Sequence, residues 1–272
     1  MDGLAEACLS VLQTADARDK AAMARRVAEA WRMGRLTRNS QKHDPWPDRP
    51  ARPARPELLS PRDMPRRKIN GGAGRKAQLH ALAHIELNAI DLAFDIVGRF
   101  IDAPLPQEFL SDWIKVGADE ARHFLMLADR LADFDMHYGD LPAHDGLWQA
   151  AYDTRHDLLA RLAVVPLVLE ARGLDVTPTM VAKFEAAGDT QSALMLNIIY
   201  EDEKTHVGAG SKWFTTLCAQ QNIDAEHCFH EKVDTYFAGQ LKPPFNVAAR
   251  SEAGLPEGFY RRDAKDHHSE TA

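Results

Sequence analysis

Two five-residue stretches decide the reading: Asp119-Glu120-Ala121-Arg122-His123 and Asp202-Glu203-Lys204-Thr205-His206. In a helix, residues i and i+3 lie on one face, so each Glu–His pair points the same way. Both pairs sit inside long apolar-periodic runs. Trp113, Val116, Phe124 and Leu127 share the first face, and Leu196, Ile199, Val207 and Gly210 share the second. A carboxylate and an imidazole on a buried stripe cost several kcal/mol unless they are paired or bind a metal. A single Glu-x-x-His is common as a surface pair. Two of them on two apolar faces require a shared explanation.

Four helices around one core supply it, two giving Glu-x-x-His and the other two giving one inward Glu each, which is a carboxylate di-metal site. The partner glutamates are present. Glu86 shares a face with Leu79, Leu82, Ala83, Ile90 and Ala93, and Glu170 shares one with Ala163, Pro166 and Leu167. The separations 86 to 120 and 170 to 203 are 34 and 33 residues, so each half reads as a hairpin with its ligands at one height. The expected fold class is therefore all-α, a ferritin-like four-helix bundle. The expected metal ligands are Glu86, Glu120, His123, Glu170, Glu203 and His206. Carboxylate oxygens with two imidazoles suit iron first and manganese second. Asp119 and Asp202 are candidates to orient a ligand histidine, either on their own helix at i+4 or across to the opposite helix. Tyr200, one turn before Glu203, is expected to point toward the site as a hydrogen-bond donor, a redox-active group or an ordinary core tyrosine.

The organisation around this core reads in four parts: residues 1–36 as a helical hairpin, 37–73 as a Pro/Arg-rich strap, 74–221 as the bundle, and 222–272 as a helix and tail. In the hairpin, Leu4, Cys8, Val11 and Leu12 and then Ala21, Ala24, Val27, Ala28 and Trp31 flank the polar break TADARDK. In the strap, Pro45, Pro47, Pro50, Pro53, Pro56, Pro61 and Pro65 forbid helix and sheet interiors, so the segment is extended, as a tether or lying on the bundle. Basic residues from Arg49 to Lys76 form a stripe suited to salt bridges with an acidic bundle rather than to nucleic acid, although a tRNA contact there stays open. The bundle helices are expected over 75–101, 106–137 and 147–172, then a short one over 177–187 and a last one to 219. Gly173 is the expected cap of the third, and Thr177 and Pro178 the start of the short one. Pro166 should kink the third helix beside the metals. His80, His84, Asn88, Asp91 and Asp95 line the face of the first helix away from Glu86, and read as solvated or strap-contacting rather than as a second metal site. His144 and His156 have no assigned role.

The formal charge of −7 argues against a general nucleic-acid coat. No run approaches the roughly 20 apolar residues that span a bilayer, and Asp2, Glu6 and Asp16 break any signal-peptide pattern. Cys8, Cys218 and Cys228 form no CxxC pair, which fits a reducing, cytoplasmic compartment.

Seven stretches carry a resemblance: RPARPELLSPRDMPRR, HALAHIELNAIDLAFD, DEARHFLML, YGDLPAHDGLW, VPLVLEARGLDVTP, EDEKTHV and PPFNVAAR. Through them the chain, from about Arg52 to Arg250, resembles an uncharacterised bacterial family of ferritin-like proteins whose domain has no known function. The resemblance implies the ferritin-like fold and the same six ligands, and no substrate. More distantly the site is similar to those of di-iron tRNA hydroxylases and other ferritin-like oxidases. The expected function is a di-iron oxidoreductase that uses dioxygen or peroxide, with an electron donor, to hydroxylate or desaturate a substrate. A ferroxidase, iron store or peroxide scavenger is the alternative, and a bundle merely stapled by metal comes last.

Overall fold

The computed structural model describes residues 3–38, 46–60, 62–65 and 71–261. Asp2, Pro45, Pro61, the stripe residues Arg66, Arg67 and Lys68, and the tail beyond Arg261 lie outside them. The described residues are helical, with no strand among them. The helices are α1 (Leu4–Gln13), α2 (Ala17–Arg32), α3 (Gly72–Arg99), α4 (Gln107–Ala132), α5 (Gly146–Asp153), α6 (Leu158–Val164), α7 (Ala171–Ala186), α8 (Thr190–Gln220), α9 (Ala225–Tyr236), α10 (Val247–Glu252) and α11 (Glu257–Tyr260). Aspartates start several of them: the side chains of Asp16, Asp157, Asp189 and Asp224 accept backbone N–H groups of the first turn.

The third long helical segment departs from expectation in three ways. It breaks at Thr154–Asp157, so α5 and α6 are separate. Between α6 and α7 the backbone widens into a π turn, Val165–Glu170. Pro166 has no N–H to give to the carbonyl four residues back, and the wider turn falls where that bond is missing. Gly173 does not cap anything. The helix runs through Gly173, Thr177 and Pro178 to Ala186, so no separate short helix begins at Thr177. The carbonyl of Leu174, which Pro178 leaves without its usual N–H, accepts instead from Asn246 Nδ2 at 3.1 Å. A side chain from the far end of the chain thus repairs the helix. Arg250 clamps the same place, pairing with Asp175 at 2.7 Å. The expected tail packs in this stretch, with Phe259 and Tyr260 of α11 buried.

α3 packs along α4, α4 meets α8, and α8 meets α6, the π turn and α7. The third segment returns to α3 through α5 and through Arg161, which pairs with Asp95 at 2.6 Å. α1 lies on α3 and α2 on α4, so the N-terminal helices share one continuous apolar core with the long ones.

The polar stripe of α3 is not solvated. His80, His84, Asn88, Asp91 and Asp95 are each 6% exposed or less. The strap and its neighbours bury them. Trp46 gives its indole N–H to Asp95 at 2.8 Å and lays its ring over Gly98, where a Cβ would collide with it. Arg52 reaches Asn88 at 2.7 Å and Asp91 at 3.1 Å, and Arg99 joins Asp95 to the carbonyl of Pro47. Lys20 of α2, wholly buried, pairs with Asp91. The strap-contacting reading of this face holds.

Candidate metal centre

Glu120 and His123 occupy the buried face of α4, His206 that of α8, and Glu86 that of α3. The Nδ1 of His123 lies 3.2 Å from a Glu86 oxygen and 3.4 Å from one of Glu120. The Nδ1 of His206 lies 3.0 Å from the other Glu120 oxygen and 3.5 Å from Glu203. Glu120 therefore sits between the two imidazoles, whose centres are 5.8 Å apart. Glu86, Glu120, His123 and Glu203 each offer one donor atom within 4.8 Å of the others. Glu170, placed by the π turn, is within electrostatic reach of Glu203, Glu120 and His206.

The opposite ring nitrogens face aspartates, and the wiring is crossed. The Nε2 of His123 on α4 meets Asp202 of α8 at 3.0 Å, and the Nε2 of His206 on α8 meets Asp119 of α4 at 3.5 Å. Of the two placements the sequence left open, the structure takes the one across to the opposite helix. Each aspartate thereby leaves Nδ1 as the nitrogen aimed inward. Arg122, which sequence reasoning did not single out, bridges the aspartates at 2.6 Å from Asp202 and 3.4 Å from Asp119. Its position inside the first motif was the available signal. The second motif has Thr205 at the matching position, and its own cation Lys204 pairs with Glu201 and Glu252.

The electrostatics follow from crowding acids in a buried place. Burial, and then the charge of Glu120, push the Glu86 carboxyl well above its ordinary range. Burial with the charges of Glu203 and Glu120 does the same to Glu170, and burial with Glu120 raises Glu203. Burial opposes charge on Glu120 as well, but His206 and His123 outweigh it and hold that carboxylate ionised. Burial disfavours a charged His123, yet Glu120 and Glu86 raise it to about 11, and the acids around His206 raise it well above normal. A cation bound here would balance the acids. Both Glu120 oxygens, one Glu170 oxygen and both His206 nitrogens are buried without a hydrogen-bond partner. Donor atoms around an ion with bonds of about 2.1 Å lie roughly 3 Å apart at right angles, close to the separations found. The donor set fits a pair of metal ions held by carboxylate and imidazole.

Tyr200 does not join the cluster. Its hydroxyl accepts from Asn246 Nδ2 at 3.0 Å, which ties it to the C-terminal segment. His144 contributes its carbonyl to His84, and His156 is exposed. No helix among the described residues is long and apolar enough to cross a membrane.

No solved structure matches the chain. An uncharacterized protein of Haemophilus influenzae is 39% identical over 212 residues, covering 75% of this chain and 73% of its own length. The family described as protein of unknown function (DUF455) matches residues 13–261. The extent of that match, over every helix that supplies a residue to the cluster, means that the chain belongs to this family.

Proposed function

We propose that this chain is a ferritin-like four-helix bundle holding two metal ions, iron in the first place, and that it is a di-iron oxidoreductase. One observation supports the reading: Glu86, Glu120, His123 and Glu203 bring donor atoms within 4.8 Å of one another, with His206 3.0 Å from Glu120, Glu170 within electrostatic reach and donor atoms left unpartnered. An acidic cluster of this kind, without a cation, carries a charge cost that no ordinary structural role repays.

Glu86, Glu120, Glu170 and Glu203 would hold the ions by their carboxylate oxygens, Glu120 facing both histidines, and His123 and His206 would hold them through Nδ1. Two bound iron ions would supply one-electron redox chemistry toward dioxygen or peroxide. The chain's own part is to fix the ligands, keep water out and set the charge. Asp202 and Asp119 hold the imidazole rings and increase their basicity. The π turn brings Glu170 into the cluster from a helix that Pro166 would otherwise leave misaligned. Arg122 offsets the charge of the two aspartates.

The test is elemental analysis of protein purified without added metal, followed by optical spectra on exposure to air. About two ions per chain and an air-dependent absorption change are expected. Glu120→Ala should remove most of the metal while leaving the helical signal intact. Less than half an ion per chain, or full metal content in Glu120→Ala, would overturn the reading.

A further inference from the structure

A groove of about 1140 Å³ lies between α2 and α4. Six cations line it, Arg25, Arg26, Arg32 and Arg35 from α2 and its end and Lys115 and Arg122 from α4, against the one acid Glu29. That concentration of positive charge stands on a chain whose net charge is −7. Glu29 is taken by Arg32 at 2.7 Å, and Lys115 by Asp119 at 2.8 Å. Arg25, Arg26 and Arg35 have no carboxylate partner among the described residues. In the strap, by contrast, Arg49 and Arg52 are paired with Asp145 and Asp91.

Two contacts fix how the walls run. Arg18 at the start of α2 meets Asp129 near the end of α4, and Trp31 near the end of α2 gives its N–H to Ser111 near the start of α4. The helices are antiparallel, so Arg25 and Arg26 face the stretch of α4 that carries Arg122. Trp31, pinned by Ser111, and Ala118 add apolar surface. Arg122 is the floor of this end, its side chain 41% exposed on the groove side while its guanidinium holds Asp202. One side chain separates the groove from the aspartates that seat both ligand histidines.

We propose that this groove binds an organic phosphate, a molecule of nucleotide size whose anionic groups lie on Arg25 and Arg26 and whose body rests on Trp31 and Ala118. Guanidinium forks match phosphate oxygens two by two, and neighbouring forks without a carboxylate partner, facing one groove, suit a multiply charged ligand. The volume suits a small molecule. The proposal deepens the oxidoreductase reading by naming the class of substrate or effector that reaches the site's edge, and it rests on that reading for its catalytic meaning.

Calorimetric titration of the full chain with ATP as the probe, at low salt, tests it. Arg25→Ala/Arg26→Ala should weaken binding at least tenfold, while Arg62→Ala/Lys183→Ala, which removes exposed cations elsewhere, should leave it unchanged. Both pairs should keep the wild-type melting temperature and metal content. Absence of ATP binding, or equal weakening by the two pairs, would sink the proposal. Binding of single-stranded polyuridylate at least tenfold tighter than ATP would replace it with a nucleic-acid site. Metal content measured on the same samples separates this outcome from the metal reading, since groove binding of ATP does not depend on the ions.

Discussion

The carboxylate of Asp202 on α8 lies 3.0 Å from Nε2 of His123 on α4, although Asp202 belongs to the motif of the other histidine. Replacing it by Asn keeps the shape and removes the charge that sustains the imidazole's basicity. Asp202→Asn should lower metal affinity by about ten- to a hundredfold. Competition against a chelator of known affinity measures this. An unchanged affinity would show that the contact does not tune the ligand.

Gly210 of α8 faces Pro166 of the π turn so closely that a Cβ built there would stand 2.7 Å from the proline ring and 3.2 Å from Leu167. Gly210→Ala forces α8 and the third segment apart and displaces Glu170 from its neighbours. The expected cost is about 1–3 kcal/mol, seen as a lower melting temperature, together with partial metal loss.

Lys20 and Asp91 form an ion pair from which water is excluded on both sides. Burial pushes Lys20 down and Asp91 up from their ordinary values, against their mutual attraction. Lys20→Met leaves Asp91 with Arg52 alone and should destabilise the fold by about 3–5 kcal/mol. Denaturant unfolding at neutral pH reads it directly.

Asp95 gives a pH dependence with a definite sign. Burial opposes its charge, but Arg161 and Arg99 outweigh burial and hold it below its usual value, while Trp46 donates from the strap. A depressed folded-state value means that the unfolded chain binds the proton first. The contribution of Asp95 is therefore complete above about pH 4 and lost as pH falls below it. Stability of the native chain should decline there more steeply than that of Asp95→Asn. Parallel curves would remove Asp95 as the cause.

The two Asp-Glu-x-x-His stretches and the apolar faces of Glu86 and Glu170 were legible because helical period is a local property. The all-helical character and most helix boundaries followed from it. What failed were signals whose meaning depends on distant partners. Gly173 and Pro178 look like helix punctuation, yet the helix persists because Asn246 satisfies the carbonyl that Pro178 leaves free. The stripe from His80 to Asp95 looks wet in one dimension, and Lys20, Trp46, Arg52 and Arg161 dry it from three different segments. Tyr200 shares the helix of Glu203, but its hydroxyl goes to Asn246. The choice of Asp119 and Asp202 between two helices was open for the same reason, since sequence gives the turn but not the neighbour.

The exchanged aspartates have a consequence for ancestry. Each hairpin lends its acid to the histidine of the other, so two separate copies of one hairpin, related by a half-turn, would satisfy both contacts as soon as they met. Joining them into one chain would have required no new interaction at the centre. The halves already differ, since Arg122 serves the aspartates from a position where the other motif carries Thr205.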